Sequence, residues 1–127
     1  MILCDTNILI DFYKNNDAIV QELRAIGPNA VAVSVITQAE LYFGALHKQE
    51  LLRIRKHLML IRRYPVDVDI SERFIELMEQ YSLSHGLAIP DALIAATALV
   101  HSLELFTLNK KDFRFIQGLS LYIPKTC

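Results

Sequence analysis

Met1-Ile2-Leu3-Cys4-Asp5-Thr6-Asn7 decides how this chain folds. Four apolar residues in unbroken succession read as a strand buried on both faces, the pattern of a parallel sheet rather than the alternation of a one-sided antiparallel one. The polar triplet that follows ends the strand and supplies a turn able to cap a helix. Asp5 is thereby carried to the C-terminal end of the first strand, and open parallel sheets bind their ligands beyond that end. A carboxylate there is costly unless something pairs with it, so Asp5 is the first candidate for chemistry.

Downstream, Asn15-Asn16-Asp17 and Gly27-Pro28 are the start and stop signals of a helix over residues 19–26. Residues 30–33 are a second buried strand. Ser34 or Thr37 can cap a helix to about His47, and residues 50–63 read as another, with Leu51, Ile54, Leu58 and Ile61 at helical spacing. Residues 66–68 read as a short strand, 71–84 as an amphipathic helix stopped at His85-Gly86, and Pro90 as the opening of a helix to about Ser102. Residues 105–108 and 121–123 complete the strands. Short apolar strands alternating with longer helices, without hairpin-turn signals, predict one α/β domain over residues 1–127. Its architecture is three-layer α/β/α around a central, mainly parallel sheet of four to five strands.

A hydrophobic content of 53% excludes disorder, and it exceeds what one small core needs, which points to a surface covered by a partner. Cys4 and Cys127 offer neither a disulfide framework nor a metal-binding spacing, which fits a reducing cytoplasm. Asp5 and Asn7 interrupt the apolar start, so no signal peptide is expected, and the longest largely apolar stretch, residues 92–100, is too short to span a bilayer. A net charge of −1 gives no overall attraction to nucleic acid. Its distribution is uneven: Lys48, Arg53, Arg55, Lys56, Arg62 and Arg63 face only Glu50 between residues 48 and 63, a local net of +5.

Glu40, Asp91, Asn109 and Asp112 follow buried strands or lie in the first turns of helices, so they can converge with Asp5 on one sheet edge. Carboxylates held together repel, and an oxygen-only cluster selects a hard cation such as Mg²⁺ or Mn²⁺. No Gly-rich phosphate loop or nucleophile elbow competes, and His47, His57, His85 and His101 lack ligand spacing. Each residue also has a structural reading. Thr37 and Glu40 fit a capping box, Asp91 after Pro90 complements a helix dipole, Asp112 can cap a short helix through Phe115, and Asn109 suits a turn.

Taken together, four motifs in order resemble the PIN-domain family from end to end. They are Met1-Ile-Leu-Cys-Asp5-Thr6-Asn7, Ser34-Val-Ile-Thr37-Gln-Ala-Glu40-Leu-Tyr-Phe-Gly44, Ile89-Pro90-Asp91-Ala-Leu-Ile-Ala-Ala-Thr97-Ala, and Thr107-Leu-Asn109-Lys-Lys-Asp112-Phe113. The resemblance implies a Mg²⁺- or Mn²⁺-dependent endoribonuclease with Asp5, Glu40 and Asp91 as its acidic triad. Asn109 or Asp112 would complete the site, Asp112 as a fourth ligand, while Thr6 and Asn7 orient Asp5 and Thr107 supplies a supporting hydroxyl. Neutral Asn109, where the family often carries an acid, weakens any second metal position. The small size is similar to VapC toxins, which implies a homodimer, an RNA substrate and a VapB-type antitoxin.

The expected chemistry is metal-assisted attack of water on a phosphodiester, leaving 5′-phosphate and 3′-hydroxyl ends. Lys48, Arg55 and Arg62, seven residues apart, would form one stripe for RNA or antitoxin, with Lys110, Lys111 and Arg114 beside the site. Two alternatives stand beside this reading. One is a PIN fold that only binds RNA or protein. The other is a haloacid-dehalogenase-like phosphatase, whose general acid Asn7 cannot provide.

Overall fold

Leu3 and Cys4 are both fully buried, as a strand covered on two faces requires. In the computed structural model, which describes residues 1–125, the elements run β1 (Ile2–Cys4), α1 (Thr6–Tyr13), α2 (Asp17–Ile26), β2 (Val31–Ser34), α3 (Val35–Phe43) and α4 (Lys48–Leu58). They continue with β3 (Arg62–Tyr64), α5 (Val68–His85), α6 (Ile89–His101) and β4 (Glu104–Phe106). Short 3-10 turns lie at Pro28–Ala30 and Lys110–Asp112. The strands form a parallel sheet in the order β3-β2-β1-β4, so β1 is central and carries Asp5 between its neighbours.

Register divides the core. Leu3 pairs with Ala32 and Leu105, and these share one face with Ile70 and Leu77 of α5 and Ala92, Ala95 and Ala96 of α6. Cys4 pairs with Phe106, and together with Val31 and Val33 they point the other way, onto Ile8, Ile19, Leu41, Ile54 and Leu58 from α1 to α4. The period-2 alternation of side chains thus makes two cores from one sheet, giving the expected three layers. Packing is sensitive on both sides: truncating fully buried Leu58 to alanine costs about 2–5 kcal/mol.

Several boundaries differ from the sequence reading, beginning with α3, which ends at Phe43 and not at about His47. The helix expected over residues 50–63 ends at Leu58, and Arg62–Tyr64 joins β2 as an edge strand. Leu60 N donates to the His57 carbonyl at 3.0 Å, a tightened last turn that drops the chain onto the backbone groups offered by Ala32, Val33 and Ser34. Ile61 still packs on the core, which is why its spacing reads as helical. No strand forms at residues 66–68, because Asp67 caps α5 by accepting from Ile70 N at 2.9 Å and the helix begins before Ser71.

Strand β4 stops at Phe106, and Thr107 turns its hydroxyl toward Asp5. At residues 121–123 only Leu121 forms a bridge, parallel to Leu105, with Leu105 N donating to the Ser120 carbonyl at 2.9 Å and Tyr122 N to the Leu105 carbonyl at 2.8 Å, and a buried acid anchors the segment further. Glu22, 1% exposed, accepts from the Tyr122 phenol and from Lys125 N at 2.9 Å. The Cys4 thiol is pushed up to about 12 by burial and by the charge of Asp5, so it is inert; Cys127 lies outside the described residues. Among the described residues no helix is long and apolar enough to cross a membrane.

Candidate functional site

The end of β1 supplies a carboxylate with both oxygens engaged. Asp5 N donates to the Phe106 carbonyl at 2.9 Å, continuing the ladder, while Asp5 Oδ1 accepts from Thr6 N at 2.8 Å and caps α1. Asp5 Oδ2 accepts from Thr107 Oγ1 at 2.8 Å and from Asn7 Nδ2 at 3.3 Å. Asn7 Oδ1 in turn accepts from Leu108 N at 3.2 Å, so one amide side chain clips the turn after β4 to the start of α1. Asn109 reaches this network through its backbone, its N–H donating to Thr107 Oγ1 at 3.0 Å. The residue is otherwise exposed.

Glu40 arrives from α3. Ser34 caps that helix by accepting from Ile36 N at 3.1 Å, so Thr37 is not the cap and the capping box does not form. Thr37 is completely buried, and its Oγ1 lies 3.1 Å from Thr6 Oγ1. Thr6 Oγ1 donates to Glu40 Oε1 at 2.6 Å, a short charge-assisted bond. Glu40 is therefore turned toward the Asp5 turn. Of the two caps open in the sequence, Ser34 and Thr37, the structure uses Ser34, and the signal for the inward role of Thr37 is its position three residues before Glu40, on the same helix face.

Asp91 stands in the first turn of α6, behind Pro90, where the helix N-terminus favours a negative charge. Its carboxyl is nevertheless pushed up to about 6, by partial burial first and then by the charges of Asp5, Asp112 and Glu40. Asp5 is also raised: burial is the largest cause, hydrogen bonds from Thr107 and Thr6 oppose it, and Glu40 and Asp112 add to it. Asp112 closes the 3-10 turn Lys110–Asp112, next to fully buried Phe113, and caps no helix running through Phe115. Asp5 and Asp91 each thus lie close enough to Glu40 and Asp112 to feel their charges, and Asp91 also feels that of Asp5.

That donor set fits a hard divalent cation, because oxygen ligands of like charge are what such an ion binds and neutralises. Among the described residues no three His, Cys, Asp or Glu side chains are already closed around a metal position, so a cation would have to draw the carboxylates inward. The histidines are occupied elsewhere. His47 caps α4, His57 Nδ1 lies 2.8 Å from the Tyr13 hydroxyl, His85 stacks on Phe115 and His101 packs on Tyr64.

The basic residues separate into groups. Lys48 and Arg55 are exposed on α4, but Arg62 sits on β3 with its guanidinium 4.9 Å from the Tyr64 ring centre, so the single seven-residue stripe is broken by the end of the helix. Lys110, Lys111 and Arg114 are exposed around Asp112. Glu22 and the Tyr13–His57 pair carried no readable signal, since each depends on a partner distant in sequence.

Residues 2–118 match the PIN domain model. Ribonuclease VapC1 of Methanocaldococcus jannaschii is 36% identical, covering 95% of this chain and 86% of that protein. Ribonuclease VapC10 of Mycobacterium tuberculosis is 35% identical over 94% of this chain and 90% of its own. Among solved structures, a toxin–antitoxin complex from Klebsiella pneumoniae aligns with a TM-score of 0.80 at 39% identity, covering 94% of this chain and 95% of that one. FitAcB from Neisseria gonorrhoeae aligns with a TM-score of 0.81 at 29% identity over 98% of both. With its sheet, its carboxylate arrangement and a match over nearly its whole length, this chain belongs to the PIN-domain family.

Proposed function

We propose that this protein is a Mg²⁺- or Mn²⁺-dependent endoribonuclease of the VapC type, the toxin of a toxin–antitoxin pair acting on cytoplasmic RNA. The observation that carries the reading is the convergence of Asp5, Glu40, Asp91 and Asp112 from four separate segments, near enough that the charges of the other acids help raise the carboxyls of Asp5 and Asp91. Carboxylates gathered in this way repel one another, and a bound cation relieves that repulsion.

In this reading Asp5, Glu40, Asp91 and Asp112 hold the ion. When bound, it would lower the pKa of a water to make a nucleophile and offset the charge gathering on the phosphate. The chain's own part is positional. Thr107, Asn7 and the Thr6 amide fix both oxygens of Asp5, and the Thr6 hydroxyl fixes Glu40. Exposed Lys110, Lys111 and Arg114, next to Asp112 in the chain, would hold the flanking phosphates of an RNA strand. No histidine is required, because the attacking oxygen is not the RNA 2′-hydroxyl, and the products carry 5′-phosphate and 3′-hydroxyl ends.

Partner binding follows from surplus apolar surface. Phe43, Leu46, Leu52 and Met59 are exposed, Phe43 at 94%. Surface of this kind is ordinarily covered by another chain. Relatives are described as toxin–antitoxin complexes, which supports a VapB-type antitoxin and a homodimer as the coverings.

The testing experiment is cleavage of total cellular RNA by the purified protein with Mg²⁺ or Mn²⁺, against an EDTA control and Asp5→Asn. Cuts at discrete sites, absent in both controls, support the nuclease. Absence of cleavage by folded, antitoxin-free protein across varied RNAs leaves a PIN-fold binding module.

A further inference from the structure

We propose that Thr37 is a positioning residue for the metal site, setting the Glu40 carboxylate through the hydroxyl of Thr6. This rests on the reading of Glu40 as a metal ligand and extends it to a side chain that touches neither metal nor RNA.

The proton count at Thr6 sets the direction of the relay. Thr6 Oγ1 lies 2.6 Å from Glu40 Oε1 and 3.1 Å from Thr37 Oγ1. A hydroxyl carries one proton, and a carboxylate can only accept, so the Thr6 proton is committed to Glu40. The proton between the two hydroxyls must then come from Thr37. The chain is directional, Thr37 to Thr6 to Glu40, and its first member fixes the orientation of the second. Without the Thr37 hydroxyl, Thr6 would lose the donor that holds its lone pairs and would be free to rotate its own proton away from the carboxylate.

Burial makes the arrangement stiff where stiffness matters. Thr37 is fully buried and Thr6 nearly so, whereas Glu40 is exposed. An exposed glutamate samples several rotamers, and holding it in one orientation costs side-chain entropy. Anchoring its tip to a buried hydroxyl pair offsets that cost before an ion arrives. Because Thr37 precedes Glu40 by one helical turn and Thr6 belongs to α1, the relay also locks α3 to the turn that carries Asp5.

The test measures Mn²⁺ binding by electron paramagnetic resonance on the purified protein without RNA. Thr37→Val, which keeps shape and removes the hydroxyl, is expected to weaken Mn²⁺ binding by about 10-fold, the usual effect of losing a group that orients a ligand. Thr37→Ser is expected to restore binding to near the parent value. In a Glu40→Gln background the Thr37→Val change is expected to add nothing further, since both act through one ligand. Unchanged Mn²⁺ affinity in folded Thr37→Val, failure of serine to rescue, or an equal further loss without Glu40 would each overturn the relay. Absence of Mn²⁺ binding by the parent chain would instead overturn the metal-site reading on which it rests.

Discussion

Thr107 Oγ1 donates a 2.8 Å hydrogen bond to Asp5 Oδ2 across 102 positions of sequence. The bond ties the exit of β4 to the exit of β1, the two strand ends between which the candidate site opens. Thr107 also receives the Asn109 amide, so its hydroxyl is oriented from behind as it points at the carboxylate. Thr107→Val is expected to lower cleavage by about 10- to 100-fold while Thr107→Ser keeps most of it, measured as initial rates at saturating Mn²⁺. Equal activity in the valine variant would reduce the bond to a structural tie.

Asp91 yields a prediction about stability whose sign is unusual for an acid. Its carboxyl is pushed up to about 6 from 3.8, so over that interval the folded chain retains a proton that the unfolded chain releases. Metal-free protein should therefore gain stability as pH falls from about 6 toward about 4 on account of this group, and lose it as pH rises. The shift at face value is worth about 3 kcal/mol, which half-exposure reduces to about 1 kcal/mol. Asp91→Asn should then melt higher than the parent at pH 7 in EDTA, with a flatter pH dependence, yet cut no RNA. A lower melting temperature would mean that the charge of Asp91 is stabilising, contrary to this account.

Glu22 is the opposite kind of acid. It is buried far from the carboxylate cluster in sequence and accepts from Tyr122 and Lys125 N, holding the C-terminal segment on α2. Glu22→Gln loses the charge-assisted character of these bonds and should cost about 1–3 kcal/mol. Urea melts should register that loss while Mn²⁺ affinity stays at the parent value. A fall in metal affinity would connect Glu22 to the site.

The broken basic stripe separates two groups of cations. Lys110→Glu with Lys111→Glu should weaken RNA binding and reduce the slope of log affinity against log salt by about 2, as expected for two phosphate contacts. Arg62→Ala should leave both quantities unchanged, because its guanidinium packs over Tyr64 at the sheet edge opposite β4. Fluorescence anisotropy with a labelled RNA in EDTA measures both. A larger effect from Arg62 would move the RNA path to the β3 edge.

What the sequence made legible follows the range of the forces involved. The parallel sheet is legible in residues 1–7 because burial on both faces leaves an unbroken apolar run, and Asp5 and Asp91 stand out because one ends a strand and the other opens a helix. The Arg62–Tyr64 strand was not legible, since Ile61 continues a helical spacing and only pairing with β2 decides against it. Thr37 reads locally as a cap; its burial against Thr6 depends on how α1 and α3 meet. Asn109 enters the network through its backbone N–H, which side-chain chemistry cannot foretell.

The most direct measurement is the origin and end chemistry of the cut. Cleavage of a defined RNA with Mn²⁺ in ¹⁸O-labelled water is predicted to place the label in the 5′-phosphate and leave a 3′-hydroxyl, with neither product formed in EDTA or by Asp5→Asn. Products ending in a 2′,3′-cyclic phosphate and a 5′-hydroxyl, formed equally without metal, would contradict the account.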